Sequence, residues 1–253
     1  MKKIFCKIFI EIVLVVALSY HTVASSIYSD DFVKKILKDN KLSRPEFLKN
    51  NFNMFKNLIS SKGSYGDISS GWLYFDDSND KLMIGSSGAV YCGYVMQNEK
   101  LKKYGYDMIA FGGIFDDEIV ELLKLIKDKK YKKIVVFGGV NDLNLRTLFG
   151  MTDIDIIYCV TLNNILDEAR RLLIDSQSQI YYIMVKPLIY GVDFNDESFV
   201  RRYNNMAKEI NDNIELFGYK SYMIPFATTK EYSEHYVHYN NPLVYETMFK
   251  SIE

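Results

Sequence analysis

The sequence predicts an α/β domain, a three-layer sandwich with a mostly parallel central sheet and helices on both faces. Three observations lead there. Short apolar runs end abruptly in small or polar residues at Lys81–Gly88 (KLMIGSSG), Asp107–Gly113 (DMIAFGG) and Tyr131–Leu143 (YKKIVVFGGVNDL). Amphipathic segments separate these runs, so strand and helix alternate as they do in βαβ units. A later apolar run, Ile180–Val185, is followed by a long helical pattern over Glu197–Leu216.

In chain order, Met1–Ser26 has the form of an export signal. Lys2, Lys3 and Lys7 precede the apolar stretch Ile8–Leu18, which only Glu11 interrupts, and Thr22–Ser25 offers small residues for cleavage. The expected location is therefore secreted or cell envelope, with an uncleaved membrane anchor as the alternative. Residues 27–71 are expected to form an amino-terminal helical segment. It contains an amphipathic helix over Asp30–Asn40 and a second helix opened by the capping box Ser43-Arg44-Pro45-Glu46 and running to Ile59. Gly63–Gly71 reads as a polar linker, and 72–253 as the main domain.

Within that domain, Trp72–Phe75 is a brief aromatic segment, and strands are expected at Leu82–Ile84, Asp107–Phe111, Ile134–Phe137, Ile180–Val185 and Tyr222–Ile224. Helices are expected from Ala89, over Asp116–Asp128, Leu162–Ile174 and Glu197–Leu216, and from Pro242 to Ile252. Ile156–Val160 fits either a strand or a helix start, and Asn144–Thr161 shows no clear regular pattern.

Composition narrows the function classes. The chain has 253 residues, 48% hydrophobic and 25% charged, with a net charge of -1. Nothing in it marks a nucleic-acid binder. Cys92 and Cys159, the cysteines outside the signal, form no metal motif and are either bridged or separately buried. Tyrosines are abundant; they and Trp72 are compatible with a sugar substrate or with ordinary packing.

Strand ends that deliver small and polar residues build the crevice of an open α/β sheet. Ser86, Ser87, Gly112, Gly113, Asn141 and Asp142 are thus candidates to line one pocket. A serine at a strand end can present its hydroxyl at a helix amino terminus, where a developing negative charge meets unpaired N–H groups. Asn141 could aim its amide at the same charge or close an Asx turn. His235 and His238, in EHYVHYN, are the only histidines outside the signal and so the only histidine bases available to a serine. A zinc reading, in which they join Glu234 or Asp142, lacks an HExxH pattern or cysteine cluster.

In this order, Gly85-Ser86-Ser87, a glycine after the second strand, Gly139-Val140-Asn141-Asp142 after the third and His238 before the last helix, the chain resembles the SGNH, or GDSL-like, hydrolases. Val185-Lys186-Pro187 and the helix after it fit the later half of that family. The resemblance covers roughly Lys81–Glu253 and implies a flavodoxin-like sheet and a serine ester hydrolase without metal or organic cofactor. It implies that Ser87 is the nucleophile and His238 its base. The oxyanion donors would be the N–H groups of Ser87 and Gly112 or Gly113, and the Asn141 side chain. Arg146 and Asp142 are candidate substrate contacts. The substrate would be an ester, such as an O-acetylated extracellular or envelope polysaccharide.

Two positions depart from the family. Ser86 replaces the aspartate of the Gly-Asp-Ser block, and His235 stands where Asp-x-x-His carries its acid. Glu234 or a backbone carbonyl could orient His238 instead, leaving a variant triad or a Ser-His dyad. The alternative is a degenerate site on a carbohydrate-binding or structural surface protein; a nucleotide-binding βαβ protein is a more distant possibility.

Overall fold

The structure, a computed structural model, describes residues 53–54, 56–59, 64–67, 71–224, 233–235 and 238–253. The expected signal at 1–26, the helix over 30–40 and the capping box at 43–46 lie outside the described residues. Residues 53–54 and 56–59 are helical, within the second expected helix.

Seven strands form one sheet among the described residues: β1 (Tyr65–Asp67), β2 (Gly71–Tyr74), β3 (Lys81–Gly85), β4 (Tyr106–Phe111), β5 (Lys133–Phe137), β6 (Gln179–Ile183) and β7 (Lys220–Tyr222), in the spatial order β1-β2-β4-β3-β5-β6-β7. From β4 to β7 every neighbouring pair is parallel. The hairpin β1–β2 adds two antiparallel strands at the β4 edge. Part of the stretch read as a linker, Gly63–Gly71, is therefore sheet. Its few apolar residues hid a strand that is recognisable only through its partner β2.

Helices α1 (Ser87–Lys103), α2 (Asp116–Leu125), α3 (Val140–Leu148), α4 (Ile156–Arg171), α5 (Glu197–Asn213) and α6 (Pro242–Ser251) follow their strands. Alternation along the strands divides the core into two layers. Met83, Met108, Val135 and Phe137 pack with Val90 of α1 and Tyr245, Met248 and Phe249 of α6. Leu82, Ile84, Ile109 and Val136, also buried, alternate with them toward the other face, where α2 packs with α4 and α3 with α5. Strands covered on both faces read as continuous apolar runs, which is why these were plain in the sequence.

The helix starts have local causes. Asp155 accepts the Tyr158 N–H at 2.7 Å, Asp196 that of Phe199 at 3.0 Å and Asn241 that of Leu243 at 2.9 Å. Ile156–Val160, open between strand and helix, is the first turn of α4. One helix was not expected: α3 begins directly at Val140, so Asn141 and Asp142 sit on its first turn and not in an extended loop. Its signal was masked by the two glycines before it. Trp72 is core, 7% exposed with its indole N–H on Asn98 Oδ1 at 3.0 Å, so it is no sugar platform.

Candidate active site

The parallel strands run in an order in which β3 sits between β4 and β5, the strand after it and the strand after that. The strand order reverses between β3 and β5, with the connection from β3 leading to one side of the sheet and that from β5 to the other, and the crevice beyond their carboxyl ends is the switch point where such sheets bind ligands. Ser86–Gly88 leaves β3 there and Gly138–Val140 leaves β5. The Ser86 N–H donates to the Phe137 carbonyl at 2.9 Å, fastening the two strand ends together.

Ser86, buried, occupies the cap position of α1, and Ser87 is its first residue, half-buried. Helix geometry provides no intrahelical partner for the first N–H groups, those of Ser87 and Gly88 among them. A cavity of about 50 Å³ opens at this point, lined by Ser87, Gly138, Val140, Val185, Tyr239 and Tyr245 among others. Asn141, Gly112 and His238 do not line it. Asn141 follows a lining residue, His238 precedes one, and Gly112 belongs to the turn after β4.

Three hydrogen bonds stitch that turn to the start of α3. Asn141 Nδ2 donates to the Ile114 carbonyl at 2.7 Å. The Asp116 N–H donates to Asp142 Oδ2 at 2.9 Å, and the Gly139 N–H to Asp116 Oδ1 at 2.8 Å. An amide nitrogen carries two hydrogens, so the Ile114 bond fixes the Asn141 amide plane and leaves the second hydrogen to donate elsewhere.

Two tyrosines complete the support. The Tyr158 hydroxyl donates to Asp116 Oδ2 at 2.9 Å and the Tyr182 hydroxyl to the same oxygen at 3.3 Å. The two glycines answer to this group. A Cβ on Gly138 would come within 2.6 Å of Asp116 Oδ1, and one on Gly139 within 2.8 Å of the Tyr182 hydroxyl. Gly139 also holds φ 83°, a left-handed conformation that side chains disfavour.

Arg146 and Asp142, expected as substrate contacts, have another role. The Arg146 guanidinium lies 3.4 Å from Asp142 and 3.3 Å from Asp155 and covers the Tyr158 ring at 4.9 Å. With 14% of its side chain exposed, it is part of the buried support under α3. Burial, and then the charge of Asp116, push the Asp142 carboxyl well above the ordinary carboxylate range, against the pull of Arg146. Asp116 shifts the same way through burial, opposed by its bonds from Gly139, Tyr158 and Tyr182.

His238 lies on a small ribbon. Strands β8 (Ser233–His235) and β9 (His238–Tyr239) pair antiparallel, with His235 in register with His238. The residue standing in the acid's place is thus the one opposite the expected base; the side chains of Glu234 and His235 fall outside the described residues. The His238 ring lies flat on Tyr91 of α1, centroids 4.0 Å apart and planes within 5°. The Tyr245 hydroxyl is 3.2 Å from the Tyr239 carbonyl and 3.4 Å from that of Gly88, bridging β9 to the first turn of α1.

The segment after β6 is clamped from α5. Asn211 exchanges hydrogen bonds of 2.9 and 2.8 Å with the Val185 backbone, and Asn204 exchanges 2.7 and 2.8 Å bonds with Leu188. Seven residues apart on one helix face, these asparagines carried a readable spacing that sequence reasoning missed. It also missed Asp116, Tyr158, Tyr182 and Tyr91, which no local motif marks.

Cys92 and Cys159 are free thiols; burial raises both, Cys159 to about 11. Among the described residues no group of three His, Cys, Asp or Glu side chains is placed to hold a metal ion, and no helix is long and apolar enough to cross a membrane.

No protein-family model matches the sequence, and no curated protein matches it. Solved structures do. A GDSL-like lipase from Bacteroides thetaiotaomicron aligns with TM-score 0.53 at 13% identity, over 80% of this chain and 95% of that one. A Streptococcus pneumonia protein named as a candidate platelet activating factor gives 0.53 at 16%, over 89% and 100%. A candidate acylhydrolase from Bacteroides fragilis gives 0.51 at 13%, over 70% and 86%. Together with the strand order and the Gly-x-Asn-Asp helix start, these likenesses identify the fold: this chain has the α/β architecture of the GDSL-like, or SGNH, hydrolases.

Proposed function

We propose that the chain is a serine carboxylic-ester hydrolase that removes a short O-acyl group, such as acetyl, from an extracellular or envelope carbohydrate. Ser87 Oγ attacks the ester carbonyl carbon while its proton passes to a ring nitrogen of His238. The oxyanion is met by the N–H groups of Ser87 and Gly112 (or Gly113) and by the Asn141 amide. Collapse expels the alcohol, which takes the proton from His238 and leaves acyl-Ser87. Water then attacks the acyl carbon with the same base, releasing the carboxylic acid and restoring the hydroxyl. The steps balance without a metal or organic cofactor.

The observation that carries this reading is the position of Ser87. It opens a helix at the sheet's switch point, beside a cavity, on the helix against which His238 is stacked. The cavity of about 50 Å³ beside Ser87 has room for a short acyl group. The carbohydrate half of the proposal rests on the resemblance to exported SGNH-like deacylases, taken with the export signal expected at 1–26.

A serine-reactive phosphonate and a series of aryl esters test it. Wild type should be labelled and Ser87→Ala should not, and kcat/KM should fall about tenfold or more from acetyl to octanoyl esters. A folded wild type that resists labelling yet retains glycan binding would overturn hydrolysis and leave a carbohydrate-binding protein on the same fold.

A further inference from the structure

The proposed base lacks the family's acid at the third position before it, where His235 stands. A histidine base needs two things from such a partner. Its ring must be held in plane, and the positive charge it acquires as serine attacks must be stabilised.

Tyr91 is placed to supply both. Its ring and that of His238 lie parallel within 5° at 4.0 Å, so one face of the imidazole rests fully on an aromatic surface. Tyr91 stands four residues after Ser87 on α1, which puts the two side chains on one helix face, a turn apart. The Tyr245 hydroxyl, between the Gly88 and Tyr239 carbonyls, holds the ribbon against that same turn. The stack is therefore anchored from α1 on one side and α6 on the other. An aromatic face attracts a cation through its quadrupole and attracts a neutral ring far less. The contact thus strengthens as His238 takes the serine proton, and an interaction that grows toward the transition state raises kcat.

We infer that Tyr91 is the positioning residue of His238, holding the ring in plane and stabilising its charged form with an aromatic face. The inference rests on the assignment of Ser87 and His238 above. Among the described side chains, the other titratable groups packed near His238 are Tyr239 beside it and Tyr245 from α6; Glu234 and His235 lie on the paired strand, with His235 opposite it by backbone register only.

The test is the pH profile of kcat/KM for an aryl acetate in Tyr91→Leu, Tyr91→Phe and Tyr91→Trp, with Ser87→Ala alongside. The acid limb reports the free base. In Tyr91→Leu it should move to lower pH by roughly half a unit, with kcat down about tenfold and KM unchanged. The phenylalanine variant should move less and the tryptophan variant should match or exceed wild type. A folded Tyr91→Leu with the wild-type limb and kcat overturns the inference. If that variant does not fold, identical limbs in the phenylalanine and tryptophan variants overturn it. If Ser87→Ala keeps wild-type turnover, the nucleophile assignment fails instead. Tyr91 is then judged by NMR titration of the His238 imidazole, where a midpoint unmoved between wild type and Tyr91→Phe or Tyr91→Leu overturns the stack.

Discussion

The side chain of Asp116 accepts the backbone N–H of Gly139 at 2.8 Å, joining the turn after β4 to the start of α3 through a buried carboxyl group. The proposed oxyanion donors, Gly112 and Asn141, lie on the two segments that this bond joins. The geometry of the hole therefore depends on a side chain that is not itself one of its donors.

Replacing Asp116 with alanine strands the Gly139 N–H and deprives the Tyr158 and Tyr182 hydroxyls of their shared acceptor. Buried groups left without partners predict a loss of about 3 kcal/mol in urea denaturation. Asp116→Asn keeps one acceptor oxygen and should lose less. In the folded asparagine variant kcat should fall more than KM rises.

Gly139→Ala combines a left-handed φ of 83° with a Cβ 2.8 Å from the Tyr182 hydroxyl. A loss of about 3 kcal/mol is expected from backbone strain and overpacking together. Tyr182→Phe removes the oxygen being struck and should recover part of it in the double variant. Strictly additive losses would show that the hydroxyl is not the obstacle.

Arg146→Met tests the reassignment of that residue. It leaves Asp142 and Asp155 without their cation, and a loss of about 3 kcal/mol is expected by analogy with other broken buried pairs. A folded variant of unchanged stability with a KM raised severalfold would return Arg146 to the substrate.

The pH dependence follows from Asp142, raised by burial and then by Asp116, and opposed by Arg146. The charged and titratable groups around it are Asp116, Asp117, Arg146, Asp155, Tyr158 and Tyr182. A carboxyl raised in the folded state binds its proton more tightly there than in the unfolded chain. Its stabilisation is complete below the ordinary value near 3.8 and is lost as pH rises through the raised one. Wild type should therefore lose stability relative to Asp142→Asn as pH rises above the ordinary carboxylate range. Denaturation midpoints of the two proteins across that rise check the sign, and a gap that moves the other way refutes it.

The parallel strands and most helices were legible because their signals are local. A strand covered on both faces must be a continuous apolar run, and Ile134–Phe137 is one. The glycine pair and Asn141-Asp142 stood out because turn residues after such a run are few. The β1 strand and the helical state of Val140–Leu148 escaped because their stabilisation comes from β2 and from Asp116.

By itself, the sequence determined the α/β class, the strand ends that face one crevice, and Ser87, Asn141 and His238 as the residues to examine there. Only the tertiary structure decided that Arg146 and Asp142 belong to a buried support, that Asp116 and two tyrosines hold the Gly139 turn, and that His238 rests on Tyr91. Periodicity and turn chemistry act over a few neighbouring residues and leave a pattern in the sequence. The bonds to Asp116 join residues 23, 42 and 66 positions apart, and a contact at that range exists only once the sheet has brought its partners together.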